Sequence, residues 1–153
     1  MNDKGPGVKF PPPLLLLACL SAGYALHQFM PLYIDQTKNL MLIAGFFAFI
    51  GLTLIIGCCV QFLKAKTHLE PWKESKNLIT SGIFRFSRNP IYLGFFFIGI
   101  SIAVYFNSFW MIISLIPFYF LIQLFVIRKE EKYLRNKFKE AYDQYCKKVR
   151  RWF

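Results

Sequence analysis

The chain has 153 residues, of which 56% are hydrophobic and 19% aromatic, and its formal net charge at pH 7 is +11. The apolar residues, which include 18 phenylalanines, lie in long blocks, and this argues against an ordinary soluble domain of the same size. The sequence predicts a single-domain, all-α integral membrane protein.

The first two apolar blocks are each long enough to cross a bilayer. The first runs from Leu14 to about Tyr33, and another long apolar block follows within ten residues, so we interpret it as a retained helix rather than a cleaved signal peptide. The second, residues 40–63, contains no formal charge and would extend about 36 Å as a helix.

The third and fourth blocks, residues 91–106 and 109–127, are separated only by Asn107 and Ser108. So short a connection predicts a tight hairpin of two antiparallel helices. Pro117 interrupts the fourth block and predicts a kink in it. The sequence therefore predicts four transmembrane helices, at about 14–33, 40–63, 91–106 and 109–127.

The distribution of basic residues predicts the orientation in the membrane. With four spans, the amino terminus, the loop 64–90 and the tail 128–153 share one side, which holds every lysine and arginine except Lys38. The positive-inside rule makes that side cytoplasmic. The charge is then explained by topology and by anionic lipid headgroups as partners, and no nucleic acid is needed. A bacterial inner membrane is favoured over the endoplasmic reticulum.

Beyond residue 127 the chain becomes charged but keeps a helical period. A cytoplasmic amphipathic helix is therefore predicted, lying either on the membrane surface or against the loop 64–90. Its apolar stripe comprises Leu134, Phe138, Ala141, Tyr142, Tyr145 and Val149.

Glu130 and Glu131 stand at the membrane boundary, where two carboxylates oppose binding to anionic lipid. Neighbours on a helix point about 100° apart, so the two cannot both serve one salt bridge. We expect one to pair with a nearby cation while the other faces inward. Acidic groups at this depth are candidates for a functional site, partnered by Arg85, by Arg88 or by a cationic ligand.

The stretch 78–94, LITSGIFRFSRNPIYLG, lies immediately before and into the third block. Gly82 suits a turn, and Pro90 suits the first turn of a helix that begins there or just after it. The free N–H groups of that helix and the charge of Arg88 would face the polar loop. A simpler interpretation is a charged stop at the membrane boundary with Asn89 as a helix cap.

The cysteines and histidines suggest no metal site. No C-x-x-C spacing occurs, and His27 and His68 are far apart in the chain. We expect His27 to pack within the bundle, whereas His68, at the start of the loop 64–90, has better access to a ligand.

Taken in order, the motifs form a pattern over roughly residues 64–150. L-x-x-x-G-x-F-R-x-S-R-N-P-x-Y-x-G at 78–94 is followed by the apolar hairpin, by Glu130-Glu131, and by F-x-x-x-Y-x-x-Y-x-x-x-V at 138–149. This order resembles the integral membrane methyltransferases of the isoprenylcysteine carboxyl methyltransferase type. N-P-x-Y-x-G alone also resembles the phospholipid methyltransferases.

The resemblance implies an enzyme that binds S-adenosylmethionine at the cytoplasmic membrane surface and methylates a lipophilic acceptor from the bilayer, such as a prenylcysteine-type carboxylate. Carried over by motif, the catalytic candidates are Arg85, Arg88, Asn89 and Tyr92. The cofactor-binding candidates are His68, Leu78, Gly82, Arg88, Pro90, Tyr92, Glu130 and Glu131, with Thr67 of second rank.

The chain departs from that pattern at Asn89, where the prenylcysteine enzymes have His, and at the end of the tail, where relatives often have Pro. Three alternatives therefore stay open. They are N-methylation of a phosphatidylethanolamine-type phospholipid, an NADPH-dependent enzyme resembling sterol reductases through Tyr145-Cys146 and Val149, and a non-enzymatic membrane scaffold. The sequence assigns no oligomeric state.

Overall fold

The computed structural model describes residues 5–8, 10–34, 39–67 and 72–152, and within these ranges it contains helices and no β-strand. This confirms the all-α prediction. The helices are α1 (Pro12–Phe29), α2 (Leu40–Lys64), α3 (Pro90–Tyr105), α4 (Phe109–Ile113), α5 (Leu115–Ile122) and α6 (Arg128–Lys148). A 3₁₀ turn, Gly82–Arg85, precedes α3, and a π-helical segment, Gln123–Ile127, joins α5 to α6.

Within the described ranges, two helices are long and apolar enough to cross a membrane. They are α2 and the continuous helix Phe109–Lys148, which comprises α4 to α6, whereas α3 is apolar but shorter. Only 11% of the most apolar part of α2 is buried inside the chain, and Phe46 and Phe49 are exposed. An apolar surface of this size is accommodated by lipid rather than by water.

Helix α1 is shorter than the predicted block, which extended to about Tyr33. It ends at Phe29, and Met30 leaves the helical conformation with φ −137° and ψ 80°. Pro31 is the cause, because a residue that precedes proline is forced out of the α region.

The predicted hairpin is present between α3 and α4. Asn107 takes a left-handed conformation, with φ 49°, and the Oγ of Ser108 accepts a hydrogen bond from the backbone N–H of Met111 at 3.3 Å. The predicted interruption of the fourth block lies at Ser114, between α4 and α5, rather than at Pro117 itself. Proline has no N–H to bond the carbonyl four residues earlier, so the helix is disturbed one turn before it.

Helices α2 and α3 pack with their backbones in close contact. A Cβ atom added to Gly51 would lie 2.9 Å from the carbonyl oxygen of Gly94, and one added to Gly94 would lie 3.0 Å from that of Gly51. Any larger side chain would push the two helices apart. This contact fixes the position of the amino end of α3, where the candidate residues lie.

Of the two placements left open for the tail, the structure has α6 against the loop 64–90. Tyr142, Tyr145 and Val149 are buried in a cluster with Cys58 and Phe84. Ala141, which was predicted to belong to the stripe, is exposed. Lys139 has non-helical angles, φ 46° and ψ −122°, but Leu134 and Phe138 before this break pack against the same cluster as the buried residues after it.

Candidate functional site

A cavity of about 290 Å³ lies where the loop 64–90, the start of α3, the start of α6 and the amino-terminal prolines meet. Its walls are largely apolar and aromatic, and its charged groups are carried by α6 and by the residues before α3. The apolar and aromatic lining residues are Pro6, Pro11, Pro12, Pro13, Phe62, Trp72, Leu78, Ile79, Phe84, Ile91, Tyr92, Phe95, Leu134, Tyr142 and Tyr145. The polar ones are Lys73, Ser75, Asn77, Arg88, Asn89, Glu130 and Glu131.

Six of the residues predicted from the sequence thus line one cavity, namely Leu78, Arg88, Asn89, Tyr92, Glu130 and Glu131. Three others lie close by without lining it. Arg85 is exposed on the 3₁₀ turn, Gly82 begins that turn with φ +62°, and Pro90 is buried as the first residue of α3.

The two remaining candidates are Thr67 and His68. Thr67 accepts a hydrogen bond from the backbone N–H of Lys76 at 2.8 Å and is not among the lining residues. His68 lies outside the described residues.

An ion cluster formed by Arg88, Glu131 and Arg151 lies beside the cavity. The Nε and Nη2 of Arg151 donate to the two carboxylate oxygens of Glu131 at 2.8 and 2.7 Å, and Nη1 of Arg88 lies 3.3 Å from Oε1 of the same carboxylate. The side chains of Arg88 and Glu131 are only 13% and 15% exposed. Charges this well buried require close partners, and the bidentate Arg151 pair supplies the better geometry.

Arg88 is only partly used by this cluster. Its Nη1 also contacts the Sγ of Cys146 at 2.7 Å, but its buried Nε has no hydrogen-bond partner among the described residues. An unsatisfied buried donor is costly, so such a group in a cavity wall indicates a missing acceptor.

Glu130 points away from this cluster and pairs with Tyr92. The Tyr92 hydroxyl donates to Oε1 of Glu130 at 2.7 Å. Burial, together with the nearby Glu131 carboxylate, raises the pKa of Glu130 to about 7, although the hydrogen bond from Tyr92 lowers it. The two adjacent carboxylates therefore diverge as the helix geometry predicts, Glu131 to the two arginines and Glu130 to the hydroxyl of Tyr92.

Asn89 does not act as the helix cap that the simpler interpretation required. It occupies the N-cap position of α3, yet its side chain makes no capping hydrogen bond. Its Nδ2 instead donates to the backbone carbonyl of Arg151 at 2.9 Å. The residue before Pro90 is thus tied to the end of the chain, and this long-range bond sets its orientation.

Sequence reasoning missed two kinds of lining or supporting residue. Arg151 was one of many basic residues in the tail and carried no distinguishing signal. Tyr142 and Tyr145 were part of the predicted stripe, and they also line the cavity. The hydroxyl of Tyr145 donates to the backbone carbonyl of Phe84 at 2.6 Å, which fixes the 3₁₀ turn against α6.

The part of the chain that the structure describes has no candidate metal site. No group of three His, Cys, Asp or Glu residues there could hold a metal ion.

Comparison with known proteins gives two matches. Residues 40–141 match the family model of the phospholipid methyltransferases. Over 107 residues, the chain is 33% identical to a protein-S-isoprenylcysteine O-methyltransferase of Schizosaccharomyces pombe. The aligned region covers 67% of this chain and 44% of that protein. The chain thus spans less than half the length of this curated relative. No solved structure matches it.

Proposed function

The chain belongs to the phospholipid methyltransferase family, and we propose that it is a membrane methyltransferase that uses S-adenosylmethionine. The cavity between the loop 64–90 and α6 is the proposed site. The proposed acceptor is a lipophilic molecule that presents a carboxylate, of the prenylcysteine type or a similar small acid.

The residues of the cavity fit S-adenosylmethionine by their chemistry. The cofactor carries a carboxylate, an ammonium group, a sulfonium and an aromatic base. Arg88, whose Nε has no partner among the described residues, is suited to the carboxylate. Glu130 and Glu131 are suited to the ammonium and ribose groups. Rings such as Phe62 and Phe95 offer flat apolar walls for the base.

When bound, S-adenosylmethionine supplies an activated methyl group on a positively charged sulfur. The protein then has to orient the acceptor in line and exclude water, and it does not need a strong base. Glu130 and Tyr92 are placed at the start of the cytoplasmic helix and of α3, where an acceptor from the bilayer would enter. The apolar lining of the cavity serves the exclusion of water.

One observation carries the preference for a carboxylate acceptor, namely the excess of positive charge in the ion cluster beside the cavity. A guanidinium can orient a carboxylate through paired hydrogen bonds. Arg88 and Arg151 together carry two positive charges against the single charge of Glu131, while the pKa of about 7 leaves Glu130 partly neutral near pH 7. The excess of positive charge favours an anionic acceptor over an ammonium.

A second candidate function is N-methylation of an amine such as the phosphatidylethanolamine headgroup. The pair of Glu130 and Tyr92 favours it, because a carboxyl group with a pKa of about 7 is suited to accept the proton that an amine must lose. The family match supports this reading as well.

For the membrane topology we propose four spans, formed by α1, α2, α3 and the part of the last long helix from Phe109 to Ile127, with both termini cytoplasmic. The proposal is supported by the apolar character of these segments and by the basic residues of the loop 64–90 and of α6. It places the cavity at the cytoplasmic surface of a bacterial inner membrane, within reach of anionic lipid headgroups.

The test begins with calorimetric binding of S-adenosylmethionine and S-adenosylhomocysteine to the detergent-purified protein. Labelled methyl transfer to a farnesylcysteine analogue is then compared with transfer to phosphatidylethanolamine. Transfer to the carboxylate alone is expected. Transfer to the amine alone would replace the first acceptor by the second, and binding of neither cofactor by folded protein would overturn the proposal.

A further inference from the structure

The residues that follow α6 are bound directly to the segment 87–89. The backbone N–H of Arg88 donates to the carbonyl of Arg150 at 3.1 Å. The carbonyl of Arg151 accepts from Nδ2 of Asn89 at 2.9 Å and from Oγ of Ser87 at 3.3 Å. Ser87 and Asn89 are buried, so the bonds that their side chains make are partly shielded from water.

The end of the tail is also anchored between two helices of the bundle. The ring of Trp152 lies 6.0 Å from that of Phe96 in α3 and 5.6 Å from that of Tyr119 in α5, measured between centroids. Aromatic contacts at these distances stabilise a fixed position of the tail. The position of Arg151 is therefore fixed by the hydrogen bonds to its backbone carbonyl and by the packing of Trp152, which follows it.

The side chain of Arg151 competes with Arg88 for one carboxylate. Arg151 takes both oxygens of Glu131, at 2.8 and 2.7 Å, whereas Arg88 approaches only one oxygen, at 3.3 Å. Without Arg151, Glu131 would be left with Arg88 as its cation, and the natural response is a full bidentate pair between these two. Arg88 would then be drawn away from any ligand in the cavity.

We propose that Arg151 is a positioning residue, which neutralises Glu131 so that Arg88 stays available to a ligand and which ties Asn89 to the tail. Its ligand-binding consequence rests on the proposed function, because S-adenosylhomocysteine is the probe. The structural consequence, the attachment of the segment 87–89 to the tail, can be measured without any ligand.

Three variants in the full-length, detergent-purified protein test the proposal. Arg151→Met removes both the positive charge and the bidentate hydrogen bonds to Glu131. Arg151→Lys keeps the charge but cannot make the bidentate pair, and Arg150→Met is the matched control. Arg150 is exposed, and it binds the segment 87–89 only through its backbone carbonyl, which the substitution leaves in place. Should Arg151→Met fail to fold, Arg151→Lys carries the test.

Two readouts are compared. S-adenosylhomocysteine affinity is expected to fall roughly ten- to hundredfold in Arg151→Met, to recover in part in Arg151→Lys, and to stay within about twofold in Arg150→Met. Amide hydrogen exchange of the peptide containing residues 87–89 is expected to become faster in Arg151→Met, because the side-chain bonds to Glu131 that hold the backbone carbonyls of residues 150 and 151 in place are lost. No change is expected in Arg150→Met, nor in an α2 peptide of either variant.

The outcomes separate the two proposals. Faster exchange at 87–89 with unchanged affinity would make Arg151 merely structural, and lost affinity with unchanged exchange would make it a direct ligand, so either result overturns the positioning role. If wild-type protein binds no cofactor but the exchange still changes as expected, the attachment of the segment 87–89 to the tail is supported and the proposed function is wrong. If wild-type protein binds the cofactor and Arg151→Met matches it in both affinity and exchange, the proposed function is supported and the positioning role of Arg151 is wrong.

Discussion

The two ends of α3 meet the same requirement, a chain that enters or leaves an apolar helix, in different ways. At the carboxyl end the hairpin uses neutral groups, since Oγ of Ser108 caps α4 and Oδ1 of Asn107 accepts from the N–H of Ile34 at 2.9 Å. At the amino end, Arg88 and Asn89 bind Glu131 and the tail at the other end of the described chain.

The charged cluster is therefore not needed to turn the chain. The hairpin shows that neutral capping groups suffice at such a boundary, and they avoid the desolvation of buried charges. The amino end buries a guanidinium and two carboxylates and leaves Nε of Arg88 without a partner among the described residues. A structure that tolerates this cost at one end only is best explained by a ligand at that end.

The largest expected effect is the loss of cofactor binding when the charged end is broken. Arg88→Ala and Glu131→Ala each remove one member of the ion cluster at the cavity. We expect S-adenosylhomocysteine affinity to fall by at least about a hundredfold in each, since a charge-assisted contact is lost and a buried charge is left poorly paired. Calorimetry measures the affinity, and size-exclusion chromatography with thermal unfolding checks the fold.

The matched control for this experiment is Arg135→Ala. Arg135 lies on α6 as well, but it pairs with Asp143 at the exposed surface at 2.8 Å. It should bind like wild type, because exposed ion pairs contribute little. Wild-type affinity in Arg88→Ala or Glu131→Ala would contradict the conclusion that the amino end of α3 binds a ligand and the carboxyl end does not.

Widening the close contact between α2 and α3 at Gly51 and Gly94 should lower the stability of the protein. In Gly51→Ala the new Cβ would lie 2.9 Å from the carbonyl oxygen of Gly94, so the helices must separate. We expect a loss of about 1–3 kcal/mol in the free energy of unfolding, seen as a lower midpoint of thermal unfolding in detergent. Gly45→Ala on the same helix is the control, because nothing lies within 4 Å of the added atom. Equal midpoints in the two variants would contradict the close contact.

Much of the fold could be predicted from the sequence. Apolar blocks gave the helices, Pro90 gave the start of α3, and the 100° step of a helix separated Glu130 from Glu131. These features depend on local sequence, so they can be recognised without knowing which segments meet. The error at the end of α1 was also local, because the predicted block continued through Pro31 to about Tyr33, whereas the helix ends at Phe29.

The parts of the site that were missed depend on contacts between distant segments. Arg151 reaches Glu131 because the tail folds back onto residues 87–89, and the many basic residues of the tail conceal that role. The non-helical angles of Lys139 have no glycine or proline to signal them. The amino-terminal prolines also line the cavity, and nothing in their local sequence indicates that they meet α6 there.

Protonation of Glu130 should alter both stability and binding. Its pKa of about 7 in the folded protein exceeds the ordinary value of 4.5, so the folded state holds this proton more tightly than the unfolded chain. The contribution of Glu130 to the free energy of unfolding is therefore fully present below about pH 4.5 and lost as the pH rises through about 7. A cationic sulfonium ligand has the opposite preference, and we expect its affinity to rise up to about tenfold from pH 6 to pH 8.

Glu130→Gln isolates this effect, because the amide keeps the size of the side chain and cannot ionise. S-adenosylmethionine binding is measured by calorimetry at both pH values, and the change with pH in Glu130→Gln is subtracted from that in wild type. This subtraction also removes the titration of the cofactor's own amino group. Equal pH dependence in the two proteins would mean that Glu130 does not face the ligand.

The smallest expected effect is at the neutral end of α3. Ser108→Ala removes the hydroxyl that caps α4, and we expect a loss of about 1 kcal/mol in the free energy of unfolding. S-adenosylhomocysteine affinity should not change, because the capping bond is made far from Arg88 and Glu131 in the chain and serves only the hairpin. Ser81→Ala is the control, since Ser81 is exposed and makes no side-chain capping bond. A Ser108→Ala protein with normal stability and weakened binding would show that the hairpin end also serves the site.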